Sequence, residues 1–508
     1  VSPTRPYYIT TAIDYANGAP HMGHAFEKIG ADAMARYHRL RGDDVRFLMG
    51  MDEHGLKVLQ SADTAGVSPQ QWVDDIAAQF TAMWQRLLIS NDDFIRTTEP
   101  RHERAAVELV RRIAEAGDFR EGRYEGWYCV GCEAFKREDE LVTDADGIRR
   151  CPDHPNREVA WTEENNWFFR LSGYRDRLLR HYEQHPDFIQ PESRANEVRN
   201  LVEAGLEDVS VSRAVPWGIP WPDDSDQTIY VWFEALMNYI SATGFPETGY
   251  ERTWPASCHV IGKDITRFHC VIWPAMLMSA GIALPDSVWA HGFFTYAGRK
   301  LSKSEGVRVE LSHVLDRFGP DAFRYYILRE VPWNGDGEFS WDRFESRYNA
   351  DLADDLGNLV NRVISMIGRY RDGVTPAGGA TWLDEECRAA LGKYRRAMDA
   401  NLLHQGAAAA MELADAANGF VEARTPWAQA KDPALAADLD ATLGSLARCL
   451  LHLATLLEPF MPAKMADLAG RLGFDAVPDL DAIDSADPAG RPARRDAVLF
   501  PKEVPASS

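Results

Sequence analysis

Apolar residues run through "YYITTAI", Tyr7 to Ile13, and predict a strand; a loop of Asn17, Gly18 and Pro20 follows, then a helix over about His24 to Arg41, then a second short strand, "DVRFLMGMD". Strand, helix and strand at that spacing predict a βαβ unit on a parallel sheet. From about Gly117 to Asp226 the texture changes to short strands, turns, a cysteine cluster and many Trp and Pro, which reads as an insertion. Apolar signals of the first kind resume in "QTIYVWFEALMNYISATG", "CHVIGKDITRFHCVIWPAMLMSAG" and "DSVWAHGFFTY". Beyond about Phe344, Leu352, Leu356, Leu359, Val363 and Ile367 fall four, three, four and four apart, which is one face of a helix. Ala-rich segments such as "HQGAAAAMELADAANGFVEA", broken at Pro376, Pro426 and Pro433, extend this into a helical bundle. The pattern as a whole is α/β: a parallel sheet split by an insertion and followed by an all-α bundle.

A chain of 508 residues accommodates two to four domains, and 45% hydrophobic with 26% charged residues is the make-up of an ordinary globular protein. The longest apolar run, near Val271 to Leu284, is interrupted by Pro274, Ser279 and Gly281 and is too short to span a bilayer. No basic and apolar leader precedes the first strand, so the expected location is cytoplasmic, with no membrane partner. With 55 Lys plus Arg against 77 Asp plus Glu, the formal charge is −22, which excludes indiscriminate coating of nucleic acid but leaves room for a local basic surface. Of seven cysteines three are clustered and Cys258, Cys270, Cys387 and Cys449 are scattered, which is no disulfide framework.

Two short motifs carry chemistry. His21 and His24 flank Met-Gly where the first strand hands over to a helix. They read as metal ligands only with help from Asp52, Glu53 and His54 in "GMDEHG", as plain helix caps, or as donors to a phosphate at a helix N-terminus. The second motif, "GRKLSKSEG", Arg299 to Gly306, places Lys300 and Lys303 three apart on a loop rich in Gly and Ser, able to close over a polyphosphate. Alone, each motif is weak; in this order and with this fold between them they become specific.

Together they resemble the HIGH and KMSKS signatures of class I aminoacyl-tRNA synthetases, roughly 280 residues apart as "HMGH" and "KLSKS". The stretches "AIDYANGAPHMGH", "GMDEHG", "YVWFEALMNYI", "HVIGKDITRFHCVIWPAML" and "HGFFTYAGRKLSKS" are similar to methionyl-tRNA synthetases, with Ile13-Asp14 in place of the commoner Leu-Pro and Leu301 in place of Met. The resemblance implies a Rossmann-type nucleotide-binding catalytic domain in two halves, 1–116 and 227–292, and a connective insertion with a zinc knuckle, 117–226. It further implies a KMSKS-loop region that meets the tRNA stem, 293–343, and a helical-bundle anticodon-binding domain, 344–508. The implied reaction joins methionine to ATP as an adenylate, with Mg²⁺, and passes methionine to initiator and elongator tRNA(Met). His21, His24, Lys300 and Lys303 would act on the phosphates, and Gly262 and Asp264 on the ribose. The implied methionine pocket is Ile13, Tyr15, Asp52 for the ammonium, Trp232, Ala235, Leu236, Tyr239, Ile265, Phe268, His269 and Trp273. The spacings three, one and three put Trp232, Ala235, Leu236 and Tyr239 on one helical face, and Tyr239 and His269 are each expected to offer a hydrogen bond near the sulfur. An insertion of about 110 residues is short for the editing domain of relatives that handle Ile, Val and Leu, which favours methionine.

Cys129, Cys132, Cys151 and His154 form C-x2-C, 18 residues, then C-x2-H, which suits a closed tetrahedral Zn²⁺ of structural kind. Asn358 and Arg362 share a helix face, and Trp427 follows Pro426 at a helix break. On its own Trp427 reads as a core residue; by the resemblance the three match anticodon-reading positions. A cysteinyl-tRNA synthetase, a small-molecule nucleotidyltransferase and an inactive tRNA-binding scaffold are the rival readings. With no further barrel apparent after the bundle, a monomer is expected.

Overall fold

The computed structural model describes residues 5–502, apart from 133, 145–146, 153, 297–298 and 301–309. The first strand, β1 (Pro6–Thr11), stops at Ala12–Ile13 and resumes as β2 (Asp14–Tyr15); the loop then enters α1 (Met22–Leu40), which returns the chain to β3 (Asp44–Asp52). Thr10 and Asp14 both face β3, opposite Leu48 and Met51, while β4 (Asp93–Arg96) occupies the other edge of β3 over the same residues. β1 and β2 are therefore one strand with a local break.

On its other side β1 pairs with the strand Cys258–Gly262, which pairs with Val288–His291 and then with Ile189–Gln190. All seven strands are parallel. Sequence order reverses between β1 and Cys258–Gly262, and in open parallel sheets ligands bind outside the carboxyl ends of the strands at such a switch point. One apolar core lies on the α1 face of the sheet and continues into the C-terminal helices, a second fills the opposite face, and a third, of Cys129, Cys151 and Val159, is confined to the insertion.

The insertion is built on a long antiparallel ribbon, Phe119–Cys129 against Ala160–Phe169, with the cysteines at its far end. In the helical part the predicted stripe is present, and Leu352, Leu356, Leu359, Val363 and Ile367 are all buried. The chain winds there as π-type turns over Tyr348–Gly357 before tightening into Asn358–Tyr370. Among the described residues no helix is long and apolar enough to cross a membrane.

Candidate active site

The head of α1 stands at the switch point and has no acidic residue in its first turn, so no side-chain carboxylate there offsets the positive end of its dipole. His21 Nδ1 accepts the Gly23 N–H at 3.1 Å, and His24 Nδ1 accepts the His21 N–H at 3.3 Å, so the pair forms a reciprocal cap. An imidazole that accepts through Nδ1 carries its proton on Nε2. The rings stack at 3.7 Å and 22°, so both Nε2–H groups are fixed donors. The cap that orders the helix start thus also sets which ring nitrogens carry the protons. Of the companions a metal would need, His54 Nδ1 lies 2.6 Å from Glu234, and Glu53 binds Arg96 at 2.5 Å and the Thr98 hydroxyl, so two of the three are engaged elsewhere.

From the broken strand Ile13 reaches the second core, and Tyr15 packs against both cores. Ile13 lies against Gly50, where a Cβ would meet its Cγ2 at 2.9 Å and the Ile95 carbonyl at 2.2 Å, so β3 admits only glycine at that point. The Tyr15 hydroxyl donates to the His54 carbonyl at 3.1 Å. Asp52 is buried at the carboxyl end of β3, where its charge is felt by Tyr239.

Trp232, Ala235, Leu236 and Tyr239 come from two short helical pieces, Val231–Ala235 and Asn238–Ser241, joined through Leu236 and Met237 in helical φ/ψ. Phe268 and His269 sit on π-type turns, Phe268–Ile272, and the Phe268 ring stacks on Trp232 at 5.1 Å. Such widened turns recur at functional sites. Ile265 precedes them, and its carbonyl faces His269 Nδ1 at 3.1 Å.

The Tyr239 hydroxyl donates to His269 Nε2 at 2.6 Å, so the hydrogen bonds that the sequence offers to a sulfur are made between the two side chains, because His269 Nδ1 already gives its proton to Ile265. Burial drops His269 to about 4, keeping it neutral, and raises Tyr239. Trp273 is fully buried and donates to His259 Nε2 at 3.2 Å, with Thr10 Oγ1 on the other ring nitrogen at 2.7 Å. It packs behind Tyr239 at 6.2 Å between ring centres. Gly262 ends its strand, and a Cβ there would meet Asp264 Oδ1 at 2.7 Å; Asp264 is exposed on the turn Lys263–Ile265. Lys303 and the side chain of Lys300 lie outside the described residues.

Sequence reading passed over the groups that support this wall. His54 and Glu234, both buried, tie the end of β3 to the piece bearing Trp232; burial lowers His54, but the carboxylate outweighs it and leaves His54 above its ordinary range. A third such group lies within α1: Glu27, Lys28 and Asp32 are buried among apolar neighbours in "HAFEKIGADAMARY". Charges inside a helix that is apolar on nearly every side must be paired, and that was the available signal.

In the insertion, the Sγ atoms of Cys129, Cys132 and Cys151 and Nδ1 of His154 all lie within 4.8 Å of one another. Cys132 Sγ is 3.6 Å from Cys151 Sγ and 3.3 Å from His154 Nδ1, and Cys129 Sγ is 3.8 Å from His154 Nδ1. A tetrahedron with metal–sulfur bonds of about 2.3 Å has edges of roughly 3.8 Å, so the donor set fits Zn²⁺. The Cys132 thiol, by donating to Cys129, pulls Cys129 down to about 5 and is itself raised. Among the described residues the core here holds three buried side chains, and a core of that size gains its hold from a bound metal.

Asn358 is exposed at the start of its helix, and Arg362, one turn on, pairs with Glu422 at 2.5 Å. Glu422 lies five residues before Trp427. Between them Thr425 takes φ 42° and turns the chain, leaving Trp427 39% exposed, so it is no core residue.

A parallel sheet split by an insertion, with paired histidines on the helix after the first strand and a helical bundle behind, has the architecture of a class I aminoacyl-tRNA synthetase. The model of the family described as tRNA synthetases class I (M) matches residues 7–364. Curated relatives named Methionine--tRNA ligase include that of Brucella suis, 45% identical over 92% of this chain and 92% of its own length, and that of Thermosynechococcus vestitus, 41% identical over 98% and 97%. A solved structure of Mycobacterium tuberculosis methionyl-tRNA synthetase in complex with methionyl-adenylate is similar with a TM-score of 0.94 and 42% identity, covering 98% of this chain and 100% of that one. The chain belongs to the methionine–tRNA ligase family.

Proposed function

We propose that this protein is a methionine–tRNA ligase in action as well as in family. It activates L-methionine with ATP and transfers it to the 3′-terminal adenosine of tRNA(Met), initiator and elongator. A carboxylate oxygen of methionine attacks the α-phosphorus of ATP, the bond to pyrophosphate breaks, and the adenylate forms; a ribose hydroxyl of the tRNA then attacks the methionyl carbonyl and AMP leaves. Positioning and charge stabilisation drive such displacements without a covalent enzyme group.

The observation that carries the reading is the pair of Nε2–H donors, His21 and His24, fixed at the head of the helix that follows the first strand of the switch point. The histidines donate to the α-phosphate oxygens, Gly262 and Asp264 take the ribose, and Lys300 and Lys303 take the leaving pyrophosphate; Mg²⁺, when bound with ATP, would supply further charge neutralisation there. Asp52 pairs with the methionine ammonium; Ile13, Tyr15, Trp232, Ala235, Leu236, Tyr239, Ile265, Phe268, His269 and Trp273 form and back the pocket for the thioether. Cys129, Cys132, Cys151 and His154 hold a structural Zn²⁺, and Asn358, Arg362 and Trp427 read the anticodon. The enzyme works as a cytoplasmic monomer.

The test is amino-acid-dependent ATP–pyrophosphate exchange without tRNA, run with methionine, cysteine, leucine, isoleucine and homocysteine. Methionine drives the exchange, with homocysteine the main intruder, since one methylene in an apolar pocket discriminates by only about 1–3 kcal/mol. Exchange driven by cysteine, or none with any of the five, refutes the reading. Lys303→Ala abolishes exchange while methionine affinity changes little.

A further inference from the structure

Lys28 is a buried lysine whose surroundings are unlike those of a packing residue. Its Nζ lies 2.7 Å from the Ala12 carbonyl, 3.0 Å from Asp14 Oδ1 and 2.6 Å from Glu27 Oε1, so the three donors of one ammonium are all taken. Ala12 is the point at which the first strand breaks, and its carbonyl goes to Lys28 while its N–H keeps the Val260 carbonyl at 3.1 Å. Asp14 reaches α1 through Lys28, Ile13 beside it packs into the opposite core, and Tyr15 packs against both cores. On α1, His24 and Lys28 are four apart and share one face, and His21 caps the same helix.

The contacts continue away from the strand. Glu27 Oε2 meets His291 Nε2 at 3.1 Å, and His291 Nδ1 donates to the Gly292 carbonyl at 2.7 Å. Gly292 opens the segment that leads through Phe294–Tyr296 to Lys300. The Glu27 carboxylate is also felt at Tyr239 and His269.

A buried ion pair is a poor means of gaining stability, since apolar residues of the same volume commonly serve as well or better. What an ammonium with three fixed acceptors supplies is geometry. We propose that Lys28 is a positioning residue for methionine activation: by clasping Ala12, Asp14 and Glu27 together it fixes Ile13 and Tyr15 in register with His21 and His24. The assignment rests on the functional reading above and deepens it. Each substrate binds its own wall, and Lys28 sets one wall against the other, so its loss falls on the chemical step rather than on either binding event.

Lys28→Met and Asp14→Asn are compared with the unaltered chain in methionine-dependent ATP–pyrophosphate exchange, with kcat and both KM values normalised to active sites, and thermal unfolding is followed on the same preparations. In Lys28→Met kcat falls on the order of 10- to 100-fold and in Asp14→Asn by roughly 3- to 10-fold, while KM for methionine and for ATP each stay within about threefold. A role confined to holding the fold gives the reverse, a lowered Tm with unaltered kcat per active site, and that result overturns the proposal. Should Lys28→Met not fold, Asp14→Asn, which keeps the side-chain shape, decides by the same criterion. If the unaltered chain itself fails to exchange with methionine, the functional reading falls and the positioning role with it, an outcome set apart by the silence of all three proteins.

Discussion

Gly131, inside the "CVGC" knuckle, has no room for a side chain, since a Cβ built there lies 2.4 Å from the His154 ring. Its carbonyl accepts from Lys57 Nζ at 3.2 Å, and Lys57 also lies over the Tyr15 ring at 5.7 Å, so the knuckle meets the mouth of the pocket through one lysine. Gly131→Ala therefore displaces His154, the one nitrogen donor of the proposed zinc set. Zinc affinity drops on the order of 10-fold or more, as it does when the groups that orient metal ligands are disturbed. Release to a chromogenic chelator measures it, and a release rate equal to that of the unaltered protein would show that His154 is not a ligand. The residue scale also shows why two readings of His21 and His24 converge: accepting a cap hydrogen bond through Nδ1 is what fixes the proton on Nε2.

At the scale of elements, the exposed Trp427 gives the sharpest expectation. Base–aromatic stacking contributes about 1–3 kcal/mol per base, so Trp427→Ala lowers kcat/KM for tRNA charging by roughly 5- to 150-fold. Pyrophosphate exchange in the same preparation separates this loss from damage to the adenylate step; a charging efficiency unmoved by the substitution would take Trp427 out of the anticodon site. How far such elements are legible from sequence depends on where their information lies. The strand Asp44–Asp52 coincides with the apolar run "DVRFLMGMD", and the five-residue stripe from Leu352 to Ile367 is buried throughout, because both are set by periodicity alone. The widened turns at Phe268 and Tyr348 and the division at Leu236–Met237 escape that reading, since a change of hydrogen-bond register leaves the spacing of apolar residues almost untouched. Nor does spacing join Lys28 to Asp14, or His54 to Glu234, 180 residues away; these pairs exist only after the sheet has closed.

Across the whole molecule, Asp32 is where the catalytic sheet, the helix Leu311–Glu330 and the C-terminal bundle meet. It is fully buried, 2.6 Å from Arg324 and 2.8 Å from Arg36, and also accepts from the Ser90 amide at 2.7 Å. Arg36 reaches Glu458 in the bundle at 2.7 Å, and Arg324 donates to the carbonyls of Leu87, Pro459 and Phe460. The three parts are thus locked by one charged centre rather than by apolar contact alone. Burial raises Asp32, but Arg324 and then Arg36 outweigh it and hold the carboxyl at about 2 against an ordinary 3.8. A folded-state pKa below the unfolded one contributes stability that is present above the unfolded value and lost as pH falls through the folded one. The window here lies between about pH 4 and pH 2; burial works against the Arg324 guanidinium, so the carboxylate carries the pH dependence of the centre. Asp32→Asn removes the charge and leaves two guanidinium groups facing a neutral amide, which costs about 3–5 kcal/mol at neutral pH. Urea unfolding of the two proteins, compared from neutrality into acid, checks the assignment. The gap between them is widest at neutral pH and narrows as pH falls from about 4 to about 2, because the carboxylate of the unfolded chain takes up its proton over that range while the folded one keeps its charge until about 2. A gap of constant width over that range would mean that Asp32 acts by its shape and not by its charge.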